Sequence, residues 1–503
     1  MKTRFALCSA ILSVLMIVSV FISCGESSDQ TSKSDAQAQT AADSAADQTP
    51  EETTTERMYP DLPAADYGGT VFDILTTSNW ANSWTEIYDY FSEQENGEPI
   101  NDMVFRRNRA VEEQYNVVIN EVNHMGSDKG GNDKNGAKIL RNSVMAGDNA
   151  FDACQIGSVD VATLAYEGYL LELKSEVPNL NISNPWWDQP CIKDVSIYGK
   201  TFYATGDIST LDNDTTFCYI FNKKLIEQYG MENPYELVRD GKWTNPKFAE
   251  MVVQVSEDLN GDGKFDENDR YGFCIWHEAM RSLVHGVGCR FCDLDDKGEL
   301  VLTLNDPKVA TAVEQFSKAA YDRSIAFSIY HSGDLVEPMF AADQILFHNR
   351  YLCMIKKYRN MDSDFGIVPV MKFDEAQDTY YSTISSYGCA FICVPTTVEK
   401  LEMTGTILEA MACESMYTVT PAYYDITLQG KNFRDNDSSE MLDIILANRV
   451  FDLGMFYAVG DYYTHIMELF YKSSTDFASM YEKYLPKAEK KLAEINEAFA
   501  ELG

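Results

Sequence analysis

Residues 137 to 173 read AKILRNSVMAGDNAFDACQIGSVDVATLAYEGYLLEL, and the order of patterns in this stretch decides the fold. AKILRNSVMAG spaces its apolar residues as a helix does, FDACQIG is a short strand, and VATLAYEGYLLEL returns to helical spacing. A strand held between two helices is the unit of a parallel α/β sheet. Asp152, at the start of the strand, is expected to be architectural.

The same alternation extends outward in both directions. Upstream, GTVFDILTT (69 to 77) is a strand, and PINDMVFRRNRAVEEQYN (99 to 116) places Met103, Val104, Ala110, Val111 and Tyr115 at roughly helical spacing before the strand VVINEV. Downstream, TTFCYIFNKKLIEQYG (215 to 230) runs from strand straight into helix, and FGIVPV (365 to 370) and GCAFICVP (388 to 395) supply further strands. The region after 400 reads as mainly helical, ending in MYEKYLPKAEKKLAEINEAFAEL, whose Glu and Lys residues mark a solvated face. In GKWTNPKF (241 to 248), Thr244 is placed to cap a helix with Pro246 in its first turn, flanked by Trp243 and Phe248 as a hydrophobic staple.

A chain of 503 residues exceeds what one core usually serves, so two or more lobes are expected. Asp and Glu outnumber Lys and Arg 78 to 41, a formal net charge of -37, which argues against a nucleic-acid partner and favours solubility. Lys2 and Arg4 precede an apolar run over residues 5 to 22 that ends at Ser23 and Cys24, the pattern of a secretory signal peptide spanning 1–23. Residues 24–60 are then rich in Ser, Thr, Ala, Asp, Glu and Gln without apolar periodicity, as in a disordered tether. The ten cysteines beyond Cys8 and Cys24 show no disulfide framework, and most sit in apolar runs as small hydrophobes. Cys289 and Cys292, in GCRFC, have no second pair at zinc spacing.

Several of these stretches together resemble the family 1 extracellular solute-binding proteins, the capture component of bacterial ABC importers. The segment at 146 to 173 is similar to that family's strand–helix block ending in Gly-Leu-Leu, and YIFNKKLIEQYGMENP, GKWTNPKFAEMVVQVSED, FGIVPV and CAFICVP follow in the family's order. VFISC resembles the lipobox of bacterial lipoproteins, with Phe21 where Leu is usual, which makes Cys24 the expected lipidation site. The resemblance runs from about residue 69 to the C-terminus. It implies an α/β chain of the two-lobed periplasmic-binding type (type II-like) with an interlobe ligand cleft and a helical C-terminal region. The implied lobes are 66–216 plus 341–394, and 217–340 plus 395–503, with crossovers near Thr216, Ala341 and Pro395. It further implies a monomeric, lipid-anchored, extracellular protein that is not an enzyme, and that delivers a polar solute, favoured to be a sugar or oligosaccharide, to a membrane permease.

A sugar site needs flat aromatic faces for the ring and carboxylates or amides for the hydroxyls. The candidates are Asn79, Trp80 and Trp84 in TSNWANSW, Trp186, Trp187 and Asp188 in NPWWDQP, Trp276 in FCIWHEAM, and Tyr423 and Tyr424 in TPAYYDITLQGK. The alternative for PWWD is a loop packed down onto the core. The family resemblance adds Asp160 as a contact to ligand hydroxyls, the alternative being a helix N-terminal charge that suits the macrodipole.

DLNGDGKFDEND (258–269) matches the EF-hand loop, with Asp258, Asn260, Asp262, Lys264 through its carbonyl, Asp266 and Asp269 as ligands and Gly263 at the sharp turn. Asp at the twelfth position replaces the usual Glu. With hard oxygen ligands and no open position evident, Ca2+ here is expected to be structural. The rival reading is a secreted, calcium-stabilised carbohydrate-active enzyme. Against it, the six His residues form no HExxH, and neither a GxSxG elbow nor a phosphate loop is present.

Overall fold

The computed structural model describes residues 57–77, 89–124, 135–328, 335–428 and 436–502. The signal peptide, Cys24, residues 24–56 of the tether, and Asn79, Trp80 and Trp84 lie outside the described residues. The chain divides into two units, Met1–Arg57 and Met58–Gly503, and every element below belongs to the second.

Two sheets organise that unit. The first has β1 (Thr70–Thr76), β2 (Val117–Asn123), β3 (Ala153–Gly157) and β12 (Ala390–Cys393) in the order β12-β3-β1-β2. β1 is parallel to β2 and β3, whereas β12 runs antiparallel to β3. The second contains β4 (Phe217–Asn222), β5 (Tyr271–Ile275), β8 (Ala326–Ser328), β9 (Ile345–Tyr351) and β10 (Phe365–Val368) in the order β10-β4-β9-β5-β8. Here β9, β5 and β8 are parallel, and β4 runs against β9 and β10. Two short pairs complete the strands, antiparallel β6 (Cys292–Leu294) with β7 (Leu300–Leu302) and parallel β11 (Ser382–Thr383) with β13 (Arg449–Val450).

The α/β expectation holds, strand by strand, from Thr70 to Phe221. Pairing corrects the expected lobe boundaries. β9 and β10 hydrogen-bond to β4, so residues 345–368 belong with the second sheet and not with the first. Conversely the helix Leu401–Tyr417 buries Met403, Ile407, Leu408 and Met411 in a cluster with Phe72 and Ile74 of β1, so the chain does not leave the first lobe at Pro395. Pro395 instead bridges Leu170, and Ala341 ends a helix beside β9. Two of the crossings are at Thr216 and across 384–389, and they touch: Thr216 bridges Ile384. The chain returns to the second sheet after Tyr417, since the helix Asn436–Ala447 packs on β10.

Local chemistry explains the scaffold. Thr244 accepts the Lys247 amide at 3.3 Å, Trp243 and Phe248 pack edge to face at 6.0 Å, and the Trp243 indole donates to Pro369 O at 2.8 Å. Asp152 is architectural, accepting the Asp73 amide at 3.0 Å and so tying β3 to β1. All ten cysteines among the described residues are buried free thiols, Cys289 and Cys292 included.

Candidate functional site

Strand direction sets where a site can form. In the first sheet the start of β12, Ala390, pairs with Gly157 at the end of β3. In the second, Phe217 at the start of β4 pairs with Tyr351 at the end of β9. Both crossing segments therefore enter where the parallel strands finish, so the carboxyl ends of both sheets lie at the crossings, the usual place for a ligand in open α/β sheets.

From the first sheet, Ser158 donates its amide to Cys389 O at 3.1 Å and its hydroxyl to Ser386 O at 2.7 Å. From the second, Trp276, His277 and Glu278 follow the end of β5, and the helix Ala279–Gly286 then carries Arg281. Arg281 is fully buried, with its guanidinium 4.4 Å from the Tyr387 ring and 4.8 Å from the Tyr463 ring. It donates to Tyr463 O and to the Tyr387 hydroxyl, both at 2.7 Å, and stands 3.5 Å from Glu278. Glu278 also accepts the Tyr351 hydroxyl at 2.8 Å; burial pushes its carboxyl up, against the pull of Arg281. Arg350 lies over Trp276 at 4.4 Å, and burial, with Arg281 and Arg350 nearby, lowers His277 to about 3, leaving its imidazole neutral at pH 7.

Trp276, Tyr387 and Tyr463 are half-buried aromatic faces held rigid by buried arginines, with hydroxyls and a neutral imidazole alongside. Planar faces of this kind suit the C–H side of a polyhydroxylated ring, and polar atoms beside them suit its hydroxyls. Arg449 braces the crossing. It pairs with Asp212 at 2.9 Å and with Asp188, joining the segment before Thr216 to the loop after Trp187.

The expected site residues do not all gather here. Trp276 does. Trp186 and Trp187 are 2% and 1% exposed, and both indoles donate to the Glu409 carboxylate, so their faces pack the first core and are not offered to a ligand. Asp188 caps the helix Gln189–Val195 through the Cys191 amide at 2.7 Å and pairs with Arg449, a structural duty. Tyr423 is buried in a small cluster with Ile100 and Val104, its hydroxyl donating to Asp214 at 3.0 Å. Tyr424 is half-buried on the next position of the same helix. Asp160 is buried in the first turn of the helix Ser158–Tyr166, accepts the Ala137 amide at 3.3 Å, and lines a separate cavity of about 540 Å³ with Arg141, Tyr166, Tyr457 and Lys491.

Arg281, Arg350, Tyr387 and Tyr463 escaped the sequence reading, since single polar residues at element ends carry no periodicity. The one available signal was Glu278, just before the helix, three positions ahead of Arg281.

In the loop 258–269 the side-chain oxygens accept backbone amides. Asp258 takes Gly261 at 2.7 Å and Gly263 at 2.8 Å, Asp262 takes Lys264 at 2.8 Å, and Asp269 takes Leu259 and Asp266 at 3.0 and 2.8 Å. Among the described residues no group of three or more His, Cys, Asp or Glu side chains is gathered as if around an ion.

No protein-family profile matches the sequence, and no curated protein sequence does. Solved structures do match in fold. The galacto-N-biose/lacto-N-biose I-binding protein of an ABC transporter from Bifidobacterium longum, in complex with lacto-N-biose, is 12% identical with a TM-score of 0.58 over 86% of this chain and 98% of its own. The cyclic α-maltosyl-1,6-maltose binding protein of Arthrobacter globiformis is 14% identical with a TM-score of 0.56 over 86% and 100%. An ABC substrate-binding protein from Listeria monocytogenes in complex with cycloalternan is 14% identical with a TM-score of 0.53 over 86% and 99%. The fold is thus the two-lobed one of ABC solute-binding proteins. Among the described residues no helix is long and apolar enough to cross a membrane.

Proposed function

We propose that this chain is the extracellular, lipid-anchored solute-binding component of an ABC importer, which captures a sugar or oligosaccharide between its lobes and delivers it unaltered to a membrane permease. The observation that carries this reading is that the carboxyl ends of both sheets lie at the paired crossings, where Trp276, Tyr387 and Tyr463 stand as rigid half-buried faces. The sugar-binding neighbours of the same fold support it. Cys24 is the proposed lipidation site, and the polar stretch after it is the leash that keeps the folded part beside the membrane.

Calcium in the loop 258–269 is a further part of the reading. Asp258, Asn260, Asp262, Asp266 and Asp269 with the Lys264 carbonyl supply the oxygen-only donor set that calcium prefers, and the ion would clamp the loop to β5 beside it.

The test is calorimetric titration of the mature chain with a panel of glycans, followed by chromatography of the recovered sugars. Saturable binding with every sugar recovered intact is expected. Turnover of a bound sugar, or no binding across the panel, would overturn the reading.

A further inference from the structure

Outside the crossing region the second sheet carries another recess. A groove of about 600 Å³ lies along the edge strand β8, bounded by Phe265, Tyr321, Phe327, Phe470 and Tyr471 and also lined by Arg323. Its volume falls within the roughly 300–1,000 Å³ of small-molecule clefts. Tyr471 is 45% exposed and Phe265 36% exposed, unusual for large rings that merely support a core.

A chain of packed rings leads from the candidate site to the groove. Trp276 packs on His277 at 5.2 Å, His277 on Tyr471 at 5.4 Å, Tyr471 on Phe470 at 6.0 Å and Phe470 on Tyr321 at 6.2 Å. The far wall is fixed as well: Phe327 meets Tyr271 at 5.3 Å, and Tyr271 meets Phe265 at 5.9 Å. Because β8 is the sheet's edge, its outer backbone donors and acceptors face away from β5. Serine hydroxyls at 328 and 473 and the Arg323 guanidinium add polar atoms between the rings. Rings alternating with hydroxyls and edge amides suit a chain of sugar units better than an apolar peptide face or an anion.

We infer that this groove is an outer subsite for the far end of an oligosaccharide whose near end lies against Trp276, so that the solute is an oligosaccharide and not a mono- or disaccharide. The inference rests on the sugar-binding reading above and assigns the length of the ligand.

The experiment is calorimetry on the mature chain with a size series, two to eight units, of malto-, cello-, xylo- and β-1,3-gluco-oligosaccharides. Affinity should rise at least tenfold from the shortest binding member to the longer ones. Tyr471→Ala, and independently Phe265→Ala on the opposite wall, should abolish that gain while leaving the affinity for the shortest member unchanged. Both rings are surface-exposed, and a melting curve checks that each variant folds. Length-independent affinity in the wild type, or a length gain that survives both substitutions, overturns the outer subsite while leaving sugar binding intact. Failure of the wild type to bind any member of any series overturns the sugar-binding reading itself, and the subsite with it.

Discussion

Trp187 donates its indole N–H to Glu409 at 2.9 Å, and the other carboxylate oxygen takes Trp186 at 3.0 Å. The Asn181 amide adds a further donor at 3.1 Å. One carboxylate from the helix Leu401–Tyr417 thus nails down the whole NPWWDQP loop, and the sequence's most sugar-like pair of rings is a core device. Trp187→Ala should cost about 3–5 kcal/mol of stability, as large aromatic truncations in cores do. Glu409→Ala should also destabilise, by stranding two buried indole donors at roughly 1–3 kcal/mol each. Denaturant unfolding measures both, and in the folded fraction glycan affinity should be unaltered. Loss of affinity at unchanged stability would return the pair to the binding site.

Trp276 is the opposite case. Its ring is half-buried, ordered by Arg350 at 4.4 Å and by Tyr351 at 5.3 Å, and it stands where β5 ends. Losing such a face removes about 0.5–1.5 kcal/mol beyond the area it covers. Trp276→Ala should therefore weaken glycan binding by roughly tenfold or more, whereas Trp276→Phe should recover part of it. Calorimetric titration reads the effect, and an unchanged Kd for the alanine variant would remove Trp276 from the site.

Asp207 gives stability a pH dependence. Burial pushes its carboxyl up to about 6, even though the Thr420 hydroxyl donates to it at 2.7 Å. The unfolded carboxyl titrates at about 3.9, so between these values the folded chain binds more protons than the unfolded one. Its contribution is therefore greatest below the unfolded value and is lost as pH rises through about 6. With partial exposure discounting the effect, Asp207→Asn should gain on the order of 1–2 kcal/mol relative to the wild type at pH 8. Near pH 4 the two should melt together. Parallel melting curves at both pH values would refute this.

How much of this was legible follows from where information sits in a sequence. The strands at Thr70, Val117, Ala153 and Phe217 each carry an apolar run with its own turn or cap, and the Thr244 cap is a local motif, so both could be read without tertiary context. The membership of β9 and β10 could not, because their partner β4 lies more than 120 residues upstream and nothing in ILFHNRY distinguishes one sheet from the other. The surroundings of the tryptophans were hidden for a related reason. Loop tryptophans look alike in sequence whether a distant carboxylate such as Glu409 buries them or a neighbouring Arg350 presents them.

The loop 258–269 is the most specific motif in the chain, and its geometry sharpens what calcium should do. Gly261 and Gly263 take positive φ of 73° and 78°, and Asp258 already holds both amides, so the turn is formed by its own hydrogen bonds. Asp269 is fully buried beneath it, and the Tyr271 hydroxyl donates to Asp266 O at 2.8 Å, fastening the loop to β5. Calcium would then add to a formed turn. A bound ion would stabilise the native state by RT ln(1 + [L]/Kd), roughly 2.7 kcal/mol at a hundredfold excess over Kd. Chelation should lower the melting temperature, and Asp262→Ala should make it independent of calcium. The affinity for the shortest glycan that binds should not change in either case, because the loop stands apart from Trp276 and the crossings. A melting temperature indifferent to chelator in the wild type would mean that these carboxylates serve only the turn.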